Sequence, residues 1–216
     1  MQSHSEPSAM KALFEQIKET SVEICKHINF IDITVPNRSP EADLENAGIK
    51  YDSIMRFTDD SIKSLEDGGY TMASADGYTV NFLLDDAPQS AIFLGSTPSG
   101  ISEEKHESLF WALQVLFIYH ELMHAKDLKI EKNFNLPACK VDLVKAEIYA
   151  DVSTLRFFVK HQKSGAHVLR NLYAAGILGR AKTPIYTRIF NGITKSFPEA
   201  QLKAWASNSI LPPKTQ

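Results

Sequence analysis

Between Leu109 and Asp127 the chain reads LFWALQVLFIYHELMHAKD, and no other stretch limits the possible folds as severely. From Leu109 to Tyr119 only Gln114 is strongly polar. A helix of that composition is apolar nearly all round and must lie in the middle of the fold. It is too short to span a bilayer. His120, Glu121 and His124 follow within two turns, where water should hardly reach, and burying such groups unpaired costs several kcal/mol each. Successive helical residues turn ~100°, so the two histidines project from nearly one face, about 6 Å apart along the axis. A cation fits between their imidazoles. Glu121 lies off to one side, placed to reach a water on that cation.

This is the HExxH spacing, in which two histidines bind zinc and the glutamate acts as general base on the zinc water. A shuffled chain with these 7 histidines would carry the pattern about once in seventy, so a third ligand has to be found. Asp127 faces the side of His120 but lies about 7 to 8 Å along the axis from the midpoint of the histidines, too far for its short side chain unless the helix breaks. After a loop at 131–140 containing Pro137, the next helical pattern is VDLVKAEIYADVSTLRFFVKH, residues 141–161. Its apolar stripe runs Val144, Ile148, Val152, Leu155, Phe158, Val159. Glu147 and Asp151 fall within or beside that stripe, four residues apart on one face. Like charges at that spacing weaken an isolated helix by ~0.2 to 0.5 kcal/mol, and burial raises the penalty. A cation and a histidine opposite them would reverse the sign.

The rest of the chain sets ordinary bounds. At 24.2 kDa, with 44% hydrophobic and 23% charged residues, it can build one substantial core. It reads as a single domain over 1–216, with a tail at 1–8, a strand-rich part at 30–100, metal-site helices at 101–161 and a helical C-terminal lobe at 162–216. A net charge of -3 with no long basic run argues against nucleic acid as partner. MQSHSEPS has neither a basic start nor an apolar run after it, so the expected location is cytoplasmic, with no membrane partner. Cys25 and Cys139 are too few for a disulfide framework and read as reduced thiols; Cys139 is weighed as a redox or inhibitory ligand against a plain loop or core thiol.

Met10, Leu13, Phe14, Ile17, Ile24 and Ile28 recur at helical spacing, giving an amphipathic helix over 8–28. FIDITV at 30–35 alternates like a strand and stops at Pro36. Residues 37–50 read as a loop and 54–66 as a short helix ending at Gly68-Gly69. YTMAS, Asp76-Gly77, YTVNFLL, DDAPQS and AIFL then predict a three-stranded antiparallel meander. If its last strand, Ala91 to Leu94, is an edge, it could hold an extended peptide beside the histidines; it could equally be a covered edge. Ser102 is the expected N-cap of the organising helix, with Glu103 and Glu104 in its first turn. Residues 166–210 read as two or three helices, broken near Gly179 and Pro184 and again at Pro198.

His120-Glu121-Leu122-Met123-His124 followed 23 residues later by Glu147-Ile148-Tyr149-Ala150-Asp151 resembles the gluzincin zinc metallopeptidases, which pair HExxH with a downstream ExxxD helix. The resemblance covers residues 92–151 and suggests compact bacterial or phage-related members, similar to ImmA/IrrE-like or Lit-like peptidases. It implies an α+β, zincin-like fold: a small antiparallel sheet packed on a buried HExxH helix, with a mainly helical C-terminal part. It implies one zinc ion per chain held by His120, His124 and Glu147, with Glu121 as base and Asp151 orienting His120. The expected activity is hydrolysis of peptide bonds in a specific intracellular protein, by zinc-bound water activated by Glu121. His161, His167, Tyr173 and Tyr186 lie where this clan often supplies an oxyanion donor, and each also reads as structural. Two other readings stay open: a zinc-binding regulatory or interaction module that cuts nothing, and a metal-free domain whose polar helix residues pair with one another.

Overall fold

The computed structural model describes residues 9–24, 28–33, 39–58, 60, 63, 77–95, 100–127, 140–161 and 166–209. Among these it is an α+β protein of seven helices, a mixed four-stranded sheet and a two-stranded sheet. The described residues divide into two compact units, one within 1–56 and 71–140, the other within 57–70 and 141–216. No helix among them is long and apolar enough to cross a membrane.

In the first unit, α1 (Ala9–Ile24), β1 (Ile28–Ile33) and α2 (Pro40–Asn46) lead to β2 (Ser53–Ile54) and β3 (Arg56–Phe57), then to β4 (Gly77–Leu84), β5 (Ala87–Gly95) and α3 (Glu103–Ala125). The sheet order is β1-β5-β4-β2. Within the expected meander β4 and β5 do pair antiparallel, and its first strand falls outside the described residues. The expectation of an antiparallel sheet is corrected, because β1 runs parallel to β5, from Ile28 beside Ser90 to Ile33 beside Gly95. The strand over Ala91 to Leu94 is therefore interior, bonded to β1 on one flank and β4 on the other, and cannot take a peptide at its edge. It is also longer than expected. Asp85 and Asp86 adopt left-handed φ values of 52° and 58°, which Asp tolerates and a two-residue hairpin turn demands. That tight turn carries Pro88 to Ser90 into the strand. YTMAS at 70–74, Cys25 and Cys139 lie outside the described residues.

Two other expectations change for local reasons. Residues 53–57 are extended rather than helical, because Ile54 pairs with Phe82 and the Met55 amide bonds Asn81 O at 2.8 Å; most of 59–70 lies outside the described residues. The expected loop at 37–50 contains α2. Ser39 caps it by accepting from the Ala42 amide, Pro40 sits in the first turn and Leu44 is fully buried.

Strand alternation gives the sheet two faces. Tyr78, Val80, Phe82, Ala91 and Phe93 form one, packed with Leu44 and Ile54 into a core. Each large side chain fully buried there contributes roughly 1.5 to 3 kcal/mol. Thr79, Asn81, Ser90 and Ile92 project from the other face, where α3 packs against β4 and β5. Gln114, the polar residue in the apolar run, donates to Gly95 O at 2.9 Å. Ser102 occupies the N-cap position without a side-chain cap bond, and Glu103 instead accepts from Trp111 Nε1 at 2.8 Å and pairs with Lys11.

In the second unit, α4 (Leu143–Lys160) packs against α5 (Ala166–Arg180) and α6 (Pro184–Ile193), and α5 against α7 (Glu199–Ala206). The expected helix at 141–161 is present as α4, and the two or three helices expected over 166–210 are three. Where α6 meets α4, a Cβ at Gly192 would meet the Ile148 side chain, so a larger residue there requires Ile148 to shift. A separate two-stranded sheet pairs β3 with β6 (Lys140–Val141).

Candidate metal centre

The last turns of α3 carry His120 and Glu121, 7% and 5% exposed, and the half-buried His124. The helical repeat stacks the two imidazoles, their ring centres 4.7 Å apart and their planes at 83°. Their Nε2 atoms face each other at 3.1 Å. With protons on both Nδ1 atoms, two lone pairs point into one space and need a shared proton or cation between them. An ion bound tetrahedrally at the usual zinc–nitrogen length would set two such nitrogens about 3.3 Å apart. The observed spacing fits that ion with almost no movement.

Glu121 is held separately. Its Oε2 accepts from the Thr79 hydroxyl at 2.8 Å, and the same hydroxyl lies 3.1 Å from the Glu121 main-chain oxygen. Asp127 sits past the end of α3, buried, with its amide on His124 O at 3.4 Å.

On α4, Glu147 is half-buried and Asp151 fully buried. Asp151 Oδ1 accepts from the Tyr173 hydroxyl at 2.6 Å and from the Arg180 guanidinium at 2.9 Å. Arg180 also lies over the Tyr186 ring, 5.5 Å from its centre. Burial pushes the Tyr173 phenol well above its ordinary range; the Asp151 charge adds to the rise, Arg180 opposes it, and Glu147 adds a smaller push. Burial alone would lower Arg180, but the charges of Asp151, then Tyr173 and Glu147, hold it above its ordinary value. Thus the acidic pair that looked repulsive in sequence is answered in part by a guanidinium.

Among the described residues, His120, His124 and Glu147 form a group that can hold a metal ion, with one donor atom from each within 4.8 Å of the others. Two imidazoles and a carboxylate are the ligand set of many hydrolytic zinc sites, with a fourth position left open. Asp127 is not in that group, as helix geometry anticipated. Of the four oxyanion candidates, Tyr173 has its hydroxyl on Asp151 and Tyr186 carries Arg180 on its ring. His161 is exposed at the C-cap of α4, its ring 4.4 Å from Phe157, and His167 is exposed on α5.

Thr79 and Arg180 were not found from the sequence. Thr79 left a faint signal, a polar residue alternating with Tyr78 and Val80 on the strand face that had to meet α3. Arg180 left none, because it is 29 residues from Asp151 with two helix ends between them. No protein-family model, no curated protein and no solved structure matches the chain.

Proposed function

We propose that the protein is a zinc-dependent peptidase that hydrolyses peptide bonds in a specific intracellular protein. The observation that carries this reading is the His120-His124-Glu147 group, with Glu121 adjacent on α3 but outside it. Imidazole and carboxylate donors together suit zinc.

The ion, when bound, supplies a Lewis acid that polarises a peptide carbonyl and makes water acidic enough to lose a proton near neutral pH. Glu121 takes that proton on its carboxylate and returns it to the leaving amine. His120 and His124 stay neutral, because a protonated imidazole has no lone pair to offer. Asp151 belongs beyond the ligands. The resemblance gives it the task of orienting His120, and its bonds to Tyr173 and Arg180 fix α4, which carries Glu147. The packing of α3 against a mixed sheet supports the zincin-like reading of the fold, with the parallel β1 as its departure.

A second reading, in which the metal only stabilises the fold, is favoured by the way Thr79 already satisfies the buried Glu121 without any chemistry. The deciding experiment compares new protein N-termini in cells expressing the native chain or Glu121→Gln. The peptidase reading predicts termini that appear with the native chain alone. Identical sets would leave the metal without a hydrolytic role.

A further inference from the structure

Among the described residues, Thr79 is the strand residue whose side chain is bonded to the carboxylate assigned as base. It sits on β4 opposite Ile92 of β5, so its backbone is tied by the hairpin register. A β-branched side chain is stiff at χ1, and its hydroxyl is therefore held in one place. That hydroxyl has a single proton and two oxygens of Glu121 in reach, at 2.8 Å to Oε2 and 3.1 Å to the main-chain oxygen. The carboxylate is the nearer and, being charged, the stronger acceptor. A glutamate has three rotatable bonds and would otherwise sample several arrangements over the helix end.

We propose that Thr79 is a positioning residue for Glu121: its hydroxyl occupies Oε2 and leaves Oε1 as the oxygen that takes and returns the proton. The inference rests on the hydrolytic reading above. It goes further in assigning different tasks to the two oxygens and in placing the control of the base on the sheet rather than on the metal helices. A bond that only satisfied a buried acid would matter for stability and be silent in proton transfer.

The test uses the zinc-loaded full chain and acetohydroxamate, which chelates zinc and gives up its hydroxyl proton as it binds, here to Glu121 Oε1. Native chain, Thr79→Val, Thr79→Ser and Glu121→Gln are compared by calorimetric titration with acetohydroxamate and by competition with a zinc chelator. Thr79→Val removes the hydroxyl and keeps the volume. It is expected to weaken acetohydroxamate about tenfold, the weight of one hydrogen bond to a charged group, with zinc affinity unchanged. Thr79→Ser should restore most of the loss, and Glu121→Gln should lose at least as much as Thr79→Val. If Thr79→Val does not fold by circular dichroism, Thr79→Ala takes its place with the same expected loss. Native-like acetohydroxamate affinity in the hydroxyl-less variant, with a clear loss in Glu121→Gln, overturns the role of Thr79 and leaves the hydrolytic reading intact. A native chain that holds no zinc, or a Glu121→Gln variant that binds acetohydroxamate like the native chain, overturns both.

Discussion

Arg180→Met tests how the buried acid on α4 is tolerated. Asp151 is 0% exposed on its side chain, whereas that of Arg180 is 35% exposed. Removing one partner of a fully buried ion pair costs about 3 to 5 kcal/mol, because the other charge stays behind uncompensated. Here water can enter where the guanidinium was and the Tyr173 hydroxyl remains on Oδ1, so the expected loss is reduced to about 2 to 3 kcal/mol. For a chain of this size that lowers the melting temperature of the transition reporting α4 and α5 by about 4 to 12 °C. Measurements belong in chelator, so that metal binding does not add its own stabilisation. Asp151→Asn combined with Arg180→Met removes the stranded charge, and the double variant should be more stable than Arg180→Met alone, a coupling of at least about 1 kcal/mol. Urea unfolding of the four proteins gives the cycle. A loss under about 0.5 kcal/mol for Arg180→Met, or strict additivity in the double variant, would refute the buried-pair argument.

Burial holds the Tyr119 phenol up at about 12 and also raises Tyr78 and Tyr173 above their ordinary range, Tyr78 further through its bond to Asp43 and Tyr173 through the Asp151 charge. Unfolded phenols ionise near pH ~10. Between about pH 10 and 12 the unfolded chain therefore loses protons that the folded chain keeps, and stability falls as pH rises through that window. Of the 7 tyrosines, these three should ionise only as the structure melts; absorbance at ultraviolet wavelengths with parallel circular dichroism checks it, and full ionisation of a still-folded chain would contradict it. Glu121→Gln, lying outside the three-donor group, should keep zinc and lose all cleavage of the protein whose new termini mark it as substrate. Surviving cleavage would remove Glu121 as base.

Much of the site could be read from spacing because helices repeat regularly. His120 and His124 share a face through the i, i+4 relation, and the same relation paired Glu147 with Asp151 on α4. The long apolar run foretold a buried helix, and the breaks near Gly179 and Pro184 and at Pro198 marked the C-terminal helices. What escaped depended on partners distant in sequence. Nothing in FIDITV or AIFL says that one runs parallel beside the other, since both patterns suit either direction, and that pairing alone turned an expected edge into an interior strand. Ile54 stood at the start of the helix expected over 54–66 and is a strand residue because Phe82 offers it a partner. Tyr173 was visible as a candidate oxyanion donor, but the structure shows its hydroxyl donating a hydrogen bond to Asp151 instead. Arg180 and Thr79 each work through one contact across the fold, which no local pattern records.

The zinc content of chelator-free protein, native against Glu147→Ala, bears most directly on the shared group of His120, His124 and Glu147. The account predicts close to one zinc per native chain and less than about 0.2 in the variant after identical dialysis. Native protein below about 0.2, or a variant that retains as much zinc as the native chain, would contradict it.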